Sequence, residues 1–242
     1  MSLIDRSEAE ALVEGRHGDP FSILGLHRTA KGNRIVALVP DAQRLWAVGA
    51  TEVELEQVLP GLFCGTWNEP LYRLRAQNAQ ATWDFEDPYR LSPVLGSIDE
   101  YLIGEGTHHR LWEVLGAHVM THEGHRGVHF AVWAPNAQRV SVVGNFNNWD
   151  GRRHQMRQRG ASGVWEIFVP GLVPGDIYKY EILGAEGKLL PTKADPVGFG
   201  AEHPPATSSM VRELDLHPWG DGLWMNRRAD TQDVHAPVSI YE

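Results

Sequence analysis

Residues 39–49, VPDAQRLWAVG, and residues 134–144, APNAQRVSVVG, carry one pattern twice in the same chain. Proline, alanine, glutamine, arginine, valine and glycine recur in register, which predicts an internal duplication. The parallel continues outward through two aromatic-containing segments and a closing Asp-Pro pair in each copy, namely GLFCGTW (61–67), LYRLRA (71–76) and residues 87–88, against GVWEIFV (163–169), IYKYEIL (177–183) and residues 195–196. The sequence therefore predicts two related domains in tandem.

The composition and the local periodicity indicate strands. The 242 residues include 25 glycines, 15 prolines and nine tryptophans, which suits short strands joined by tight turns. In residues 51–58, glutamates alternate with Val53 and Leu55, as expected for a strand with one solvated and one packed face. Pro40 and Pro135 stand where strands begin or end. We expect an all-β chain of two tandem immunoglobulin-like β-sandwiches with short peripheral helices.

Helices are expected only at the periphery. Ser7 with Glu10, and Ser97 with Glu100, have capping-box spacing and predict helices that stop near Gly15 and Gly104. Residues 109–116 are a candidate third helix. The predicted organisation is an N-terminal sandwich with its leading helix (1–104), a helical linker (105–118), a second sandwich (119–228) and a terminal segment (229–242).

The charge and the cysteine content limit which partners and which cellular compartment are expected. A formal net charge of −9 gives no basic surface for nucleic acid or anionic lipid, and it is compatible with a neutral ligand such as a sugar. We therefore expect neither nucleic acid nor a membrane as a partner. A single cysteine, Cys64, makes no internal disulfide, and no signal peptide or bilayer-length apolar run is evident. A reducing cytoplasm fits these features best.

Six of the twelve histidines fall in residues 105–130, so a metal site is one hypothesis. His122, Glu123 and His125 lack the H-E-x-x-H spacing, because one residue instead of two separates the glutamate from the second histidine. No cysteine or acidic cluster supplies the rest of a ligand set. The favoured interpretation is that these histidines cap and pack a surface linker, and no metal is expected.

The candidate binding residues lie in residues 140–154, VSVVGNFNNWDGRRH, where a buried strand runs into a polar turn. Asn147 and Asn148 are residue types that hydrogen-bond their own backbone in turns. The Trp149 ring could stack on the apolar face of a pyranose while amides bond its hydroxyls. The alternative is structural, with Trp149 covering the edge of its own core.

Longer stretches of the sequence resemble known protein families. The run FAVWAPNAQRVSVVGNFNNWDGRRHQMR (130–157), with GVWEIFVPG and YKYEI after it, is similar to carbohydrate-binding module family 48, which precedes the catalytic barrel in α-amylase-superfamily enzymes. Four further landmarks resemble bacterial glycogen branching enzymes, and their order and spacing are specific: DPFSILGLH (19–27), DPYR (87–90), EGTHHRLWEVLGAH (105–118) and APVSIYE (236–242).

The resemblance implies a retaining transfer in which a carboxylate nucleophile forms a glycosyl-enzyme and a second carboxyl acts as acid and base. In the family both groups lie in a (β/α)₈ barrel that begins near residues 238–241, so only the first barrel strand is expected here. Arg228 and Asp230 have an R-x-D spacing but lack the family context, and we interpret that as chance. No catalytic residue and no cofactor are expected in this chain.

For the binding module, the resemblance implies that Trp149 and Lys179 contact glucan, with Asn147 and Asn148 beside them. Relatives carry a second tryptophan in the following hairpin, where this chain has Lys188, Leu189 and Leu190. The loss of one stacking platform corresponds to about 1–2 kcal/mol, or tenfold or more in affinity. The sequence therefore favours docking of Trp149 and Asn147 on the barrel over strong capture of glucan.

The implied function is glucan positioning in the N-terminal region of an enzyme that cleaves α-1,4-glucan and transfers the chain to a 6-hydroxyl, with glucan and the barrel as partners. The alternatives are a self-standing glucan-binding regulatory module and the start of a debranching or trehalose-releasing relative. The duplication and the 105–118 motif favour the first. Apolar residues Trp219, Leu223 and Trp224 are expected to be exposed and to favour dimers.

Overall fold

The computed structural model describes residues 4–29, 32–214, 218–231, 234–235 and 237–241. The chain separates into two compact units, Met1–Arg212 and Glu213–Glu242. The first unit contains all of the described strands, which are antiparallel within their sheets. The helices are short and lie outside the sheets. The predicted class, all-β with two tandem immunoglobulin-like sandwiches and short peripheral helices, is confirmed.

The first sandwich is one sheet folded on itself. Its strands are β1 (Gly25–Thr29), β2 (Gly32–Leu38), β3 (Arg44–Val48), β4 (Glu52–Leu59), β5 (Leu62–Thr66), β6 (Arg73–Gln77) and β7 (Thr82–Phe85). They follow the order β1-β2-β5-β4-β3-β6-β7. The first half of β4 pairs with β3 and the second half with β5, so this strand joins the two layers. Phe63, Trp67 and Leu74 are buried between the layers.

The alternation predicted for β4 holds for one apolar position and not for the other. Leu55 is buried, while the glutamates on either side of it are exposed. Val53, which the pattern places on the same face, is 36% exposed. It lies near the start of the strand, before the point where β4 passes from one layer to the other. The periodicity therefore describes only the middle of the strand.

The second sandwich has two separate sheets. Its strands are β8 (Gly116–His122), β9 (His125–Trp133), β10 (Ala137–Gly144), β11 (Arg157–Arg159), β12 (Val164–Pro170), β13 (Ile177–Gly184) and β14 (Ser209–Met210). One sheet has the order β11-β12-β9-β8 and the other β10-β13-β14. Phe130, Val142, Trp165 and Tyr178 pack between them. Strand β10 therefore leads from this core directly into the turn that holds the candidate site.

The repeated Asp-Pro pairs have the same structural role in both sandwiches. Asp87 is buried and accepts a 2.6 Å hydrogen bond from the Tyr72 hydroxyl. Asp195 accepts bonds of 2.7 Å from Tyr178 and 3.0 Å from Tyr180. Each aspartate also accepts a backbone N–H two residues later. The Asp-Pro pairs that recur in the sequence thus mark the same buried tyrosine–aspartate contact in each sandwich.

Within the described residues the α-helices are α1 (Arg6–Val13), α2 (Ser97–Gly104) and α3 (Gly222–Thr231). The cap predicted for α1 is wrong, because Asp5 and not Ser7 accepts the first backbone N–H groups. The Ser7 hydroxyl itself donates to Asp5. Helix α2 begins at Ser97 after Gly96, with no side-chain cap. Within residues 109–116 the helical content is one 3₁₀ turn, Leu111–Glu113.

The segment that follows the first sandwich, at Val94 and Leu95, packs on the outer face of the β11-β12-β9-β8 sheet through a buried carboxylate. Glu166 is 1% exposed and accepts hydrogen bonds from the backbone N–H groups of Val94 and Leu95. His129, one of the clustered histidines, contacts the same carboxylate at 2.8 Å. Burial acts to raise the pKa of Glu166, but the hydrogen bond from His129, the Leu95 N–H and the nearby charges outweigh it, and the pKa is lowered. The segment at Val94 and Leu95 is therefore held by an ionised buried group.

The terminal unit contains α3. Trp219, Leu223 and Trp224 are exposed, and the Arg228 guanidinium lies over the Trp224 ring at 5.8 Å. Residues 237–241 lie in no helix or strand, although a barrel strand was predicted at 238–241 for the longer protein. Among the described helices, none is long and apolar enough to cross a bilayer.

Candidate functional site

The turn after β10 has an unusual backbone. A 3₁₀ turn, Asn145–Asn147, is followed by two residues in the left-handed region, Asn148 with φ 57° and Trp149 with φ 58°. Asparagine adopts the left-handed conformation more readily than most residues, but this conformation is strained for a bulky residue such as tryptophan. At Trp149 such backbone costs on the order of 1–3 kcal/mol and persists where surrounding contacts impose it. The turn must therefore be held by its neighbours.

Asn147 supplies those contacts from beneath the turn. The side chain is 1% exposed, and its Oδ1 accepts the Gly144 N–H at 2.9 Å. Its Nδ2 donates to the Val142 carbonyl and to Nδ1 of His154, both at 2.9 Å. The amide predicted to bond sugar hydroxyls is thus engaged inside the protein. In this structure Asn147 positions the turn and does not present its amide at the surface.

Trp149 lies at the surface end of the turn with its ring fixed. Its backbone N–H donates to the Gly144 carbonyl at 3.0 Å. Its ring Nε1 donates to Oδ1 of Asn145 at 2.9 Å. The side chain is partly exposed. A partly exposed indole whose nitrogen is already bonded presents its flat face at little further entropic cost, which suits stacking.

The other two predicted residues are also engaged. Asn148 is exposed and donates from Nδ2 to Asp41 of the first sandwich at 3.3 Å. Lys179 on β13 pairs in register with Val143, at the end of β10 that leads into the turn. Its Nζ donates to the Thr207 hydroxyl at 2.7 Å. The structure thus brings Trp149, Asn148 and Lys179 to one end of the β10-β13 sheet.

A cleft of about 310 Å³ opens beside Trp149. The apolar side chains on it include Leu183 and Leu189, and the charged ones include Asp150 and Glu181. Lys179 is not among the described residues that line this cleft. An aromatic face combined with apolar floor and carboxylates is the mixture that binds neutral sugars.

A buried arginine that sequence reasoning missed supports the cleft. Arg139 is 3% exposed and donates to the Gly151 carbonyl at 2.7 Å and to Glu181 at 2.6 Å. In the second copy of the repeat, Arg139 occupies the position that Arg44 occupies in the first copy. Arg44 instead forms an exposed ion pair with Glu54. The signal that could have found Arg139 was therefore the repeat itself. Nothing in the sequence marked which of the two arginines is buried.

The shifted pKa values of His154 and Asp150 set the charge of these two side chains after the turn. Burial, with the nearby Arg153 charge, lowers the pKa of His154 to about 4, so the ring is neutral at pH 7. Burial acts to raise the pKa of Asp150, but hydrogen bonds from Arg152 outweigh it and the pKa is lowered. Asp150 is consequently ionised, and a neutral His154 can accept the hydrogen bond from Asn147.

Comparison with family models identifies both sandwiches. The model for the N-terminal domain of the alpha-1,4-glucan branching enzyme GlgB matches residues 5–89. The model for carbohydrate-binding module 48 (isoamylase N-terminal domain) matches residues 114–198. The resemblance inferred from the sequence is confirmed.

Curated relatives match the chain nearly end to end. The chain is 58% identical to 1,4-alpha-glucan branching enzyme GlgB of Roseobacter denitrificans over 99% of this chain and 34% of that protein. It is 51% identical to the GlgB of Paramagnetospirillum magneticum, over 99% and 33% respectively. It thus spans about a third of these relatives. A maltotriose complex of a Klebsiella pneumoniae pullulanase aligns over 78% of this chain and 24% of that chain, at 16% identity and TM-score 0.36.

Proposed function

This chain belongs to the GlgB branching enzymes as their N-terminal region, and from that premise we propose that the protein containing it cleaves α-1,4-glucan and transfers the cut chain to a 6-hydroxyl, forming the α-1,6 branches of glycogen. The observation that carries the proposal is 58% identity over 99% of the chain to a relative of that name. The catalytic carboxylates are expected in a (β/α)₈ barrel, outside this region.

The proposed role of this region is to hold glucan for that barrel. Trp149 stacks on a glucose ring, while Asn148 and Lys179 bond hydroxyls at the same end of the sheet. Asn147 keeps the turn in place. Two observations support this role: the strained left-handed backbone at Trp149, and the fixed orientation of its ring.

The proposed setting is the cytoplasm, with α-1,4-glucan and the barrel as partners, and with no nucleic acid or membrane partner. The formal net charge of −9 supports a neutral polymer over a polyanion. The single thiol, Cys64, is free and 1% exposed, which is compatible with a reducing compartment.

The proposed activity is tested with a protein that continues from this chain into the barrel. Incubation with amylose should lower the absorbance of the iodine complex, because branching shortens the linear segments that bind iodine. Unchanged absorbance would contradict the assignment.

The proposed glucan contact is tested on this chain by affinity electrophoresis in gels containing glycogen. Trp149→Ala should weaken binding by about 1 kcal/mol, roughly fivefold. Trp112→Ala, which removes a tryptophan that is 52% exposed in the linker, is the matched control and should leave migration unchanged. Equal retardation of the wild type and Trp149→Ala would instead favour docking of Trp149 on the barrel.

A further inference from the structure

The C-terminal end of helix α1, in the first sandwich, reaches the Trp149 cleft of the second. The helix ends in a Schellman motif, in which Gly15 has φ 64° and donates to the Leu12 carbonyl. The N–H of Arg16 donates to the Ala11 carbonyl at 2.8 Å. This motif reverses the chain at Gly15 and sets Glu14 and Arg16 on either side of it.

Gly15 lies directly against the binding module. A Cβ atom at Gly15 would lie 3.3 Å from Cγ of Arg152 and 3.6 Å from Nη1 of Arg139. Because glycine has no side chain, the helix end can approach the loop after Trp149 this closely. The two sandwiches therefore meet at the cleft itself.

Glu14 and Arg16 form one side of the cleft, and Trp149 and Glu181 lie on the module side. The Glu14 and Arg16 side chains are 55% and 57% exposed, and Arg16 Nε donates to Glu14 Oε2 at 2.6 Å. A carboxylate paired with a guanidinium offers acceptors and a planar set of donors side by side, which is the arrangement that adjacent sugar hydroxyls can bond.

The module needs such a contribution because its own hairpin is poor in binding groups. Where the family resemblance implies a second tryptophan, this chain has Leu189, which is 59% exposed and lies on the same cleft. Leucine offers apolar contact but no ring for stacking. Polar contacts from another element would restore affinity that the missing ring does not supply.

We propose that the glucan site at Trp149 is composite, and that Glu14 and Arg16 of the first sandwich complete it by bonding glucose hydroxyls in the cleft. This inference rests on the proposed function, since it takes α-1,4-glucan as the ligand. It assigns the first sandwich a direct contact with the polymer, where the module alone would hold only the glucose stacked on Trp149.

The test is calorimetric titration of the full chain with maltoheptaose. The double variant Glu14→Ala/Arg16→Ala should lose about three- to tenfold in affinity. The matched control is Arg6→Ala/Glu10→Ala, which removes the exposed ion pair at the other end of the same helix and should bind as the wild type does. Thermal unfolding of each variant checks that all remain folded, as expected for exposed side chains.

Trp149→Ala, titrated in parallel, distinguishes failure of the composite site from failure of the glucan contact at Trp149. If Trp149→Ala weakens binding and Glu14→Ala/Arg16→Ala does not, the composite site is wrong and the Trp149 contact stands. If neither variant weakens binding, both the site and the inference fail. A loss in both, with the control unchanged, supports the composite site. An equal loss in the control would overturn it, because the effect would then come from the helix as a whole.

Discussion

Asn147 donates a hydrogen bond of 2.9 Å from Nδ2 to Nδ1 of His154. The amide cannot be reversed, because its Oδ1 already accepts the Gly144 N–H. Nδ1 of His154 must therefore be unprotonated for the turn to keep its geometry. The strained backbone that carries Trp149 thus depends on the neutral form of one histidine.

This dependence predicts that acid destabilises the chain. The pKa of His154 is lowered to about 4 in the folded state from 6.5, so between these values the unfolded state binds more protons. Stability is therefore present above pH 6.5 and is lost as the pH falls towards 4, by at most about 3 kcal/mol from this group. Urea unfolding at pH 7, 6 and 5 measures the slope. His154→Asn, which keeps an acceptor and does not titrate, should flatten it; an unchanged slope in the variant would exclude His154 as the cause.

The repeated tyrosine–aspartate contact predicts an unequal cost for two equivalent substitutions. Tyr72→Phe removes the hydroxyl bonded to buried Asp87, whereas after Tyr178→Phe the Asp195 carboxylate keeps its bond from Tyr180. We expect Tyr72→Phe to lower the free energy of unfolding by about 2–3 kcal/mol and Tyr178→Phe by about 1 kcal/mol. Urea unfolding at pH 7 measures both, and a larger cost for Tyr178→Phe would contradict this explanation.

Two glycines in the same helix-ending motif provide a matched pair. Gly15 and Gly106 both have left-handed φ, but a Cβ at Gly106 would meet nothing within 4 Å. Alanine at either position should cost about 1–2 kcal/mol of stability, because the left-handed conformation is strained with a side chain. Only Gly15→Ala should also weaken maltoheptaose binding, since it pushes against Arg152. Weaker binding by Gly106→Ala would show that the loss follows stability and not the cleft.

Asp41 links the first sandwich to the Trp149 turn through an ion pair with Arg153 and the hydrogen bond from Asn148. Its side chain is 48% exposed, so Asp41→Ala should cost less than about 1 kcal/mol in stability. We expect it to weaken glycogen retardation about two- to threefold by loosening the turn. Glu54→Ala breaks the comparably exposed pair with Arg44 on the same sandwich and is the control. Identical retardation of the two variants would contradict a positioning role.

The fold was predictable because duplication and strand periodicity are properties of local sequence. The repeat at residues 39–49 and 134–144 predicted two sandwiches, and the Asp-Pro pairs marked equivalent buried positions. The orientation of Asn147 was not predictable, because an asparagine in a turn suits an inward bond as well as an outward one. The contacts of Gly15 and Asp41 depend on how the sandwiches meet, and no spacing in the sequence encodes that. The prediction that Ser7 caps α1 was wrong because Asp5, two residues earlier, is an equally good N-cap residue.

The single thiol has a practical consequence. Cys64 on β5 is packed under α1 with Leu12 and Val36, and burial raises its pKa. A thiol that is both covered and protonated reacts with electrophilic reagents only when the layer above it lifts. The rate at which Cys64 is labelled therefore measures how often the first sandwich opens locally. Comparing this rate with and without maltoheptaose shows whether sugar bound at Trp149 slows local opening around α1.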